Sequence, residues 1–405
     1  MNYADKEMEA ILPRDWTARE EVLERFLLGF EGTSLPDWLA DLLSAGLAGV
    51  AIYPRNYADP EDLRALIAAI RTAAGRPVLI GIDQEGGTRF ALPPPFTQWP
   101  SPAELGRLDA AENGQREVRS DVHSHTGEYF TARIARAIAR ELRAVGINLD
   151  FAPMLDLATN PDSPVTAERS FGSDPGRVAG FGVSFLRGLA DEGVFGCAKH
   201  FPGHGDGDID PHFDLPSFAG TAERLAQHEL APFAAAIGAG VELVMTAHIL
   251  LSRIDPNRPA SISQRVIEGL LRRELHFDGV ILADDLGMGA ISRRYGHAES
   301  VVKTLEAGTD IAMLCHNDAA VPVAIEAVAE SAEGGRFDPA QWAAGRARIA
   351  RLRGKIGATE RVAPPLEVVG CDEHLRLAAE VRERLAQAPA RMPGGSDGRE
   401  LGVRE

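Results

Sequence analysis

Cysteine is scarce, with Cys197, Cys315 and Cys371 the only three in 405 residues. The odd number and wide spacing argue against a disulfide framework. They form no metal or redox motif, so a reducing cytoplasm is the expected compartment. Long apolar runs are also missing. None reaches the roughly 18 residues of a membrane helix, and residues 1–25 are dense in charge without the apolar core of a signal peptide. Basic charge is in deficit, 42 Lys and Arg against 59 Asp and Glu, for a formal net charge of −17. That balance opposes nucleic-acid and anionic-membrane partners. The 41 glycines and 26 prolines follow no collagen period, and no segment repeats. With 45% apolar and 25% charged residues, what is left is a globular chain.

Short apolar runs alternate with amphipathic stretches between about residues 26 and 335. Candidate strands are 26–30, 48–53, 78–82, 147–151, 195–199, 243–247, 280–283 and 311–315. Helical patterns at 61–73, 131–145, 177–191, 222–237, 264–274 and 298–306 lie between them. This alternation predicts an α/β fold with a parallel sheet, and eight strands suit a closed (β/α)8 TIM-type barrel. An open doubly wound sheet is the alternative, but no Gly-x-Gly-x-x-Gly follows the first strand. One main domain is expected over 1–360, with 104–130 as an inserted polar loop. The remainder, 361–405, should hold a helix at 373–387 and a disordered tail rich in Pro, Gly and charge.

Polar residues recur at or just past the ends of the candidate strands. They are Glu31, Arg55, Asn56, Asp83, Asp156, Lys199, His200, His248, Asp284, Asp285 and His316. In a barrel these ends converge on the catalytic face. The densest cluster is KHFPGHGDGDIDPHFD at 199–214, whose glycines and prolines exclude regular structure. Asp206, Asp208 and Asp210 imitate a calcium loop. Pro211, however, stands where glycine belongs, and Ser217 where the closing glutamate belongs. A transition-metal site on His204 and His212 is a further alternative. The functional reading pairs Asp210 with His212, the carboxylate fixing the tautomer of an imidazole that moves a proton. In GVILADDL at 279–286, an apolar strand delivers two adjacent carboxylates. Successive strand side chains point oppositely, so Asp284 and Asp285 should differ in role. One would be a nucleophile. The other would bond backbone or a neighbouring loop, or cap the next helix. Asp83 with nearby Arg89 suits polyol recognition. A lone His248 reads more often as a satisfied core histidine.

Together these segments resemble the family 3 glycoside hydrolases, and most of all the single-domain bacterial β-N-acetylhexosaminidases of cell-wall recycling. The likeness spans about residues 26–335. It rests on KHFPGHG with Asp-x-His at 199–212, GVAIYPRN at 49–56, IDQEGG at 82–87, ERSFGSDP at 168–175, MTAH at 245–248 and ADDLGMGA at 283–290. The resemblance implies Asp284 as nucleophile and His212 as general acid/base, oriented by Asp210. It implies sugar binding by Asp83, Arg89, Arg169, Lys199 and His200, with His248 a further candidate. It implies a retaining exo-β-N-acetylglucosaminidase acting on GlcNAc-terminated disaccharides or muropeptides, without metal or cofactor. A β-glucosidase, a phosphorylase using phosphate in place of water, and a sugar-binding protein without catalysis are the alternatives. Three departures bear on substrate range. The family's Gly-Gly-Arg-x-x-Arg is shortened to Gly87-Thr88-Arg89, Ala283 replaces a common serine, and 104–130 is long enough for His123 or His125 to reach an aglycone.

Overall fold

The computed structural model describes residues 20–89, 92–108, 126–160, 162–205, 210–211, 213–359 and 362–387. Among the described residues, ten strands occur in chain order. They are β1 Phe26–Leu28, β2 Gly49–Ala51, β3 Leu79–Ile82, β4 Leu149–Asp150, β5 Phe195–Phe201, β6 Ser217–Phe218, β7 Leu243–Thr246, β8 Leu250–Leu251, β9 Val280–Ala283 and β10 Ala312–Leu314. Eight form one parallel sheet in the order β10-β1-β2-β3-β4-β5-β7-β9. A parallel bridge between Leu282 and Ile311 joins its two edges. The sheet is therefore a closed barrel, and the open doubly wound alternative is overturned. β6 and β8 make a separate two-stranded pair.

The strands are apolar over most of their length because a parallel barrel buries both faces, with Asp150 on β4 and Lys199 and His200 on β5 the ionisable exceptions. Alternation then sorts them into two shells. Leu79, Val280, Leu282 and Met313 belong to the barrel interior. Ile80, Ile281, Ala283 and Leu314 pack outward under the helices. The same alternation carried one step further aims Asp83, Lys199 and Asp284 inward at the carboxyl ends. The opposite end is stoppered by helix Pro339–Thr359, whose Ile349, Leu352 and Ile356 join the interior cluster.

Two expectations need correction. Residues 104–108 belong to helix Pro102–Leu108 and 126–130 to helix Thr126–Val145, so the inserted stretch is not loop at its ends. Ser101 and Glu104 form a capping box that starts the first of these, at 2.8 and 3.2 Å. His123 and His125 lie outside the described residues. The pattern at 222–237 is two helices, Ala222–Gln227 and Ala231–Gly238. Pro232 sits in the first turn of the second, where its missing N–H costs nothing, and it could not have continued a helix from before. The C-terminal helix Asp372–Gln387 packs on the barrel. Leu377, Ala378, Val381 and Leu385 join the main outer core, and His374 meets Glu141 at 2.7 Å, both buried.

Candidate active site

The carboxyl ends of the strands enclose a pocket of about 760 Å3, open solvent at its mouth included. Asp83, Arg89, Arg169, Lys199, His200, Asp210 and Asp284 line it together. One wall is a buried ionic net. Lys199 Nζ lies 2.5 Å from Asp83 and 2.6 Å from Glu85. Arg169 grips Glu85 with two parallel bonds of 2.7 and 2.8 Å. Burial alone would raise the Glu85 carboxyl, but Arg169 and then Lys199 outweigh it and hold the group at about 2. Burial would likewise discharge Lys199, yet Asp83 and Glu85 push its pKa above the ordinary range. Two carboxylates thus face two cations. Burial pushes the Asp150 carboxyl beneath them well above the usual carboxylate range.

Gly86 and Gly87 turn the chain sharply after Glu85, with φ of 85° and 75° that a side chain would oppose. The turn places the Thr88 and Arg89 N–H groups on Glu168 at 3.2 and 3.1 Å. Arg89 Nη1 donates to the Pro164 carbonyl at 2.8 Å. The shortened segment is therefore clamped, with its exposed guanidinium at the pocket.

A second group surrounds Asp156. This buried carboxylate accepts from His200 Nδ1 at 2.7 Å, from the His200 N–H at 3.3 Å and from the His204 N–H at 2.9 Å. Burial opposes its charge, but His200 keeps its pKa below the ordinary value. The bond fixes the His200 ring, which also lines the pocket. His204 packs edge-on against it, ring centres 5.5 Å apart. Both ring nitrogens of His204 are buried without a partner among the described residues, and burial lowers its pKa to about 4.

The adjacent carboxylates differ as alternation requires. Asp284 faces the pocket, and its Oδ1 accepts from the Asp285 N–H at 2.8 Å. Burial would raise its pKa, but His200 and then His248 bring it below the usual carboxylate value. Asp285 turns away. Its Oδ1 accepts from Gly287 and Cys315 N–H groups, both at 3.0 Å, and its Oδ2 meets His316 Nδ1 at 2.8 Å. His248 is fully buried, with Nδ1 at 2.8 Å from Ser261 Oγ and Nε2 at 3.0 Å from the Asp285 carbonyl. Both of its nitrogens are engaged within the protein, so it supports the Asp284 strand rather than reaching the pocket. His212 lies outside the described residues. Next to it, Asp210 and Pro211 line the pocket, and the Pro211 carbonyl accepts from the Ala290 N–H at 3.0 Å.

The profile of the glycosyl hydrolase family 3 N-terminal domain matches residues 28–352. The chain belongs to glycoside hydrolase family 3. This family 3 enzyme is 36% identical over 294 residues to a beta-hexosaminidase of Stenotrophomonas maltophilia, an overlap of 72% of this chain and 83% of the relative. A beta-hexosaminidase of Thiobacillus denitrificans is 35% identical over 329 residues, 81% of this chain and 86% of that one. Among solved structures, a family 3 β-N-acetylglucosaminidase from Paenibacillus sp. superposes with a TM-score of 0.82 at 35% identity, covering 90% of this chain and 68% of that one. Set against the family 3 enzyme's pocket, residue-by-residue reading of the sequence missed Glu85, the bidentate partner of Arg169, although it lies inside IDQEGG. It noted Asp156 and His316 only as polar strand ends. No helix among the described residues is long and apolar enough to cross a membrane.

Proposed function

We propose that this family 3 hydrolase is a retaining exo-β-N-acetylglucosaminidase that removes GlcNAc from the non-reducing end of muropeptide-type disaccharides in the cytoplasm. The observation that carries the reading is Asp284: an ionised, oriented carboxylate in a blind pocket whose wall presents Asp83, Lys199, Arg169 and His200. Carboxylates accept from sugar hydroxyl pairs and cations donate to them, so this wall suits one pyranose ring. Asp284 attacks the anomeric carbon as the glycosidic bond breaks, forming a glycosyl ester. His212, oriented by Asp210, gives its proton to the leaving oxygen. The neutral imidazole then takes a proton from water, whose oxygen displaces Asp284. Two inversions give net retention. The names of the relatives favour an N-acetylhexosamine, and small buried sugar-binding groups fit an exo mode.

Initial rates on 4-nitrophenyl β-GlcNAc and β-glucoside, with Asp284→Ala as blank, test the reading. Preference for GlcNAc, with the β-anomer released first by NMR, is expected. Preference for glucose would move the enzyme to the β-glucosidases, and release of the α-anomer would refute retention.

A further inference from the structure

Two histidines hold Asp285, and they are used differently. His248 closes on its carbonyl and on Ser261, leaving no nitrogen over. His316 uses one nitrogen only: Nδ1 meets the Asp285 carboxylate at 2.8 Å. A carboxylate can only accept, so Nδ1 carries the proton and Nε2 is left over, on a side chain that is half exposed. The ring is further fixed edge-on to Tyr53, centroids 4.8 Å apart, and both side chains line the pocket. Nothing within the protein holds Nε2 among the described residues.

Depth assigns this nitrogen. The Lys199 side chain is 2% exposed and those of Arg169 and His200 are 9%, whereas that of His316 is 52% exposed. In an exo-acting pocket the buried end takes the terminal sugar, and the leaving group extends toward solvent. We propose that His316 is a specificity-determining residue that contacts the leaving sugar of a disaccharide substrate through Nε2, with Asp285 as its positioning residue. The same Asp285 donates its N–H to the nucleophile, so the leaving-sugar contact is anchored on the turn that holds Asp284. This inference rests on the exo-hydrolytic reading above.

The test compares kcat/KM on N,N′-diacetylchitobiose, whose leaving group is a sugar, with that on 4-nitrophenyl β-GlcNAc. Two variants separate the ring's two ends. Asparagine keeps a donor near Nδ1 and loses Nε2, whereas glutamine places an amide near Nε2. His316→Asn should lower the disaccharide-to-aryl ratio of kcat/KM by about tenfold, the effect of one lost hydrogen bond. His316→Gln should restore the ratio to within about threefold of the parent. Equal losses on both substrates in the asparagine variant, or no loss on either, would overturn the proposal. So would a parent enzyme that cleaves the aryl glycoside but not the disaccharide, while leaving the proposed activity standing. A parent that cleaves neither overturns both.

Discussion

The barrel carries a buried charge cluster at each end, and only one of them faces empty space. At the carboxyl end, Lys199 and Arg169 meet Asp83 and Glu85 along the pocket wall. At the amino end, Asp310 meets Arg272 at 2.6 Å and Arg348 at 2.8 Å, and also accepts from the Ile281 N–H at 2.9 Å. Arg25 lies over Trp342 there, 4.2 Å from its ring, and burial lowers its pKa to about 10. Both clusters bury charge with well-aligned partners. The lower one is roofed by helix Pro339–Thr359, which leaves the Arg272 and Arg348 side chains only 9% and 12% exposed. Buried charge alone is thus a poor marker of function. A void beside it, into which polar atoms are aimed, is the informative feature.

The largest difference between the ends should appear on removing Asp284, the proposed nucleophile. Asp284→Ala is expected to cut turnover by about 10⁴-fold or more, as loss of a nucleophile generally does, with thermal unfolding little changed. An active Asp284→Ala enzyme would shift the nucleophile elsewhere, with Asp285 next in line. That residue's three acceptor contacts make it a structural group, so Asp285→Ala should lower the unfolding temperature.

Asp310→Ala sharpens the contrast from below. It leaves buried arginines uncompensated, and breaking such a cluster costs about 3–5 kcal/mol. Stability measured in urea should fall by that amount, while KM on 4-nitrophenyl β-GlcNAc stays put at a temperature where the variant is folded. A raised KM would mean that the lower cluster communicates with the pocket.

These clusters also divide what could be read from the sequence. All eight barrel strands were legible because a parallel strand is apolar on both faces, and their polar ends marked the pocket. Alternation along 280–285 anticipated different roles for Asp284 and Asp285. The lower plug was not legible. Ile349, Leu352 and Ile356 keep helical spacing, but four arginines and a lysine between 346 and 355 hide it. Those arginines look like a solvated face until Asp310, Glu24 and Asp278 are brought against them. Glu85 was missed for the same reason, since its partners lie 84 and 114 residues away in the chain (169 − 85 and 199 − 85).

Acid should find the pocket end first. Burial holds His204 near 4 instead of its ordinary 6.5. The unfolded chain therefore binds a proton that the native state refuses, and stability falls as pH drops from about 6.5 to 4, by about 3 kcal/mol. Glu85, held at about 2, adds stability that is full above about 4.5 and disappears as pH falls through 2. Urea unfolding of the parent at pH 7 and pH 4.5 should show the first loss, and His204→Phe should reduce it. Identical pH dependence in the two proteins would refute the assignment.

The smallest change probes how tightly the lower end is sealed. Gly345 lies in the plugging helix, and a Cβ there would sit 2.3 Å from Arg25 Nη1 and 2.8 Å from Asp310 Oδ1. Alanine is the better helix former, so propensity alone predicts stabilisation by up to about 1 kcal/mol. Contact predicts the reverse, because Arg25 is fully buried and pinned over Trp342, leaving its guanidinium little room to give. Overpacking of this kind costs about 1–3 kcal/mol. Gly345→Ala should therefore lower the urea midpoint without changing its slope, and leave kcat/KM alone. A raised midpoint would show that the arginine cluster is loose enough to shift, and that the amino end is less rigid than the ionic wall of the pocket.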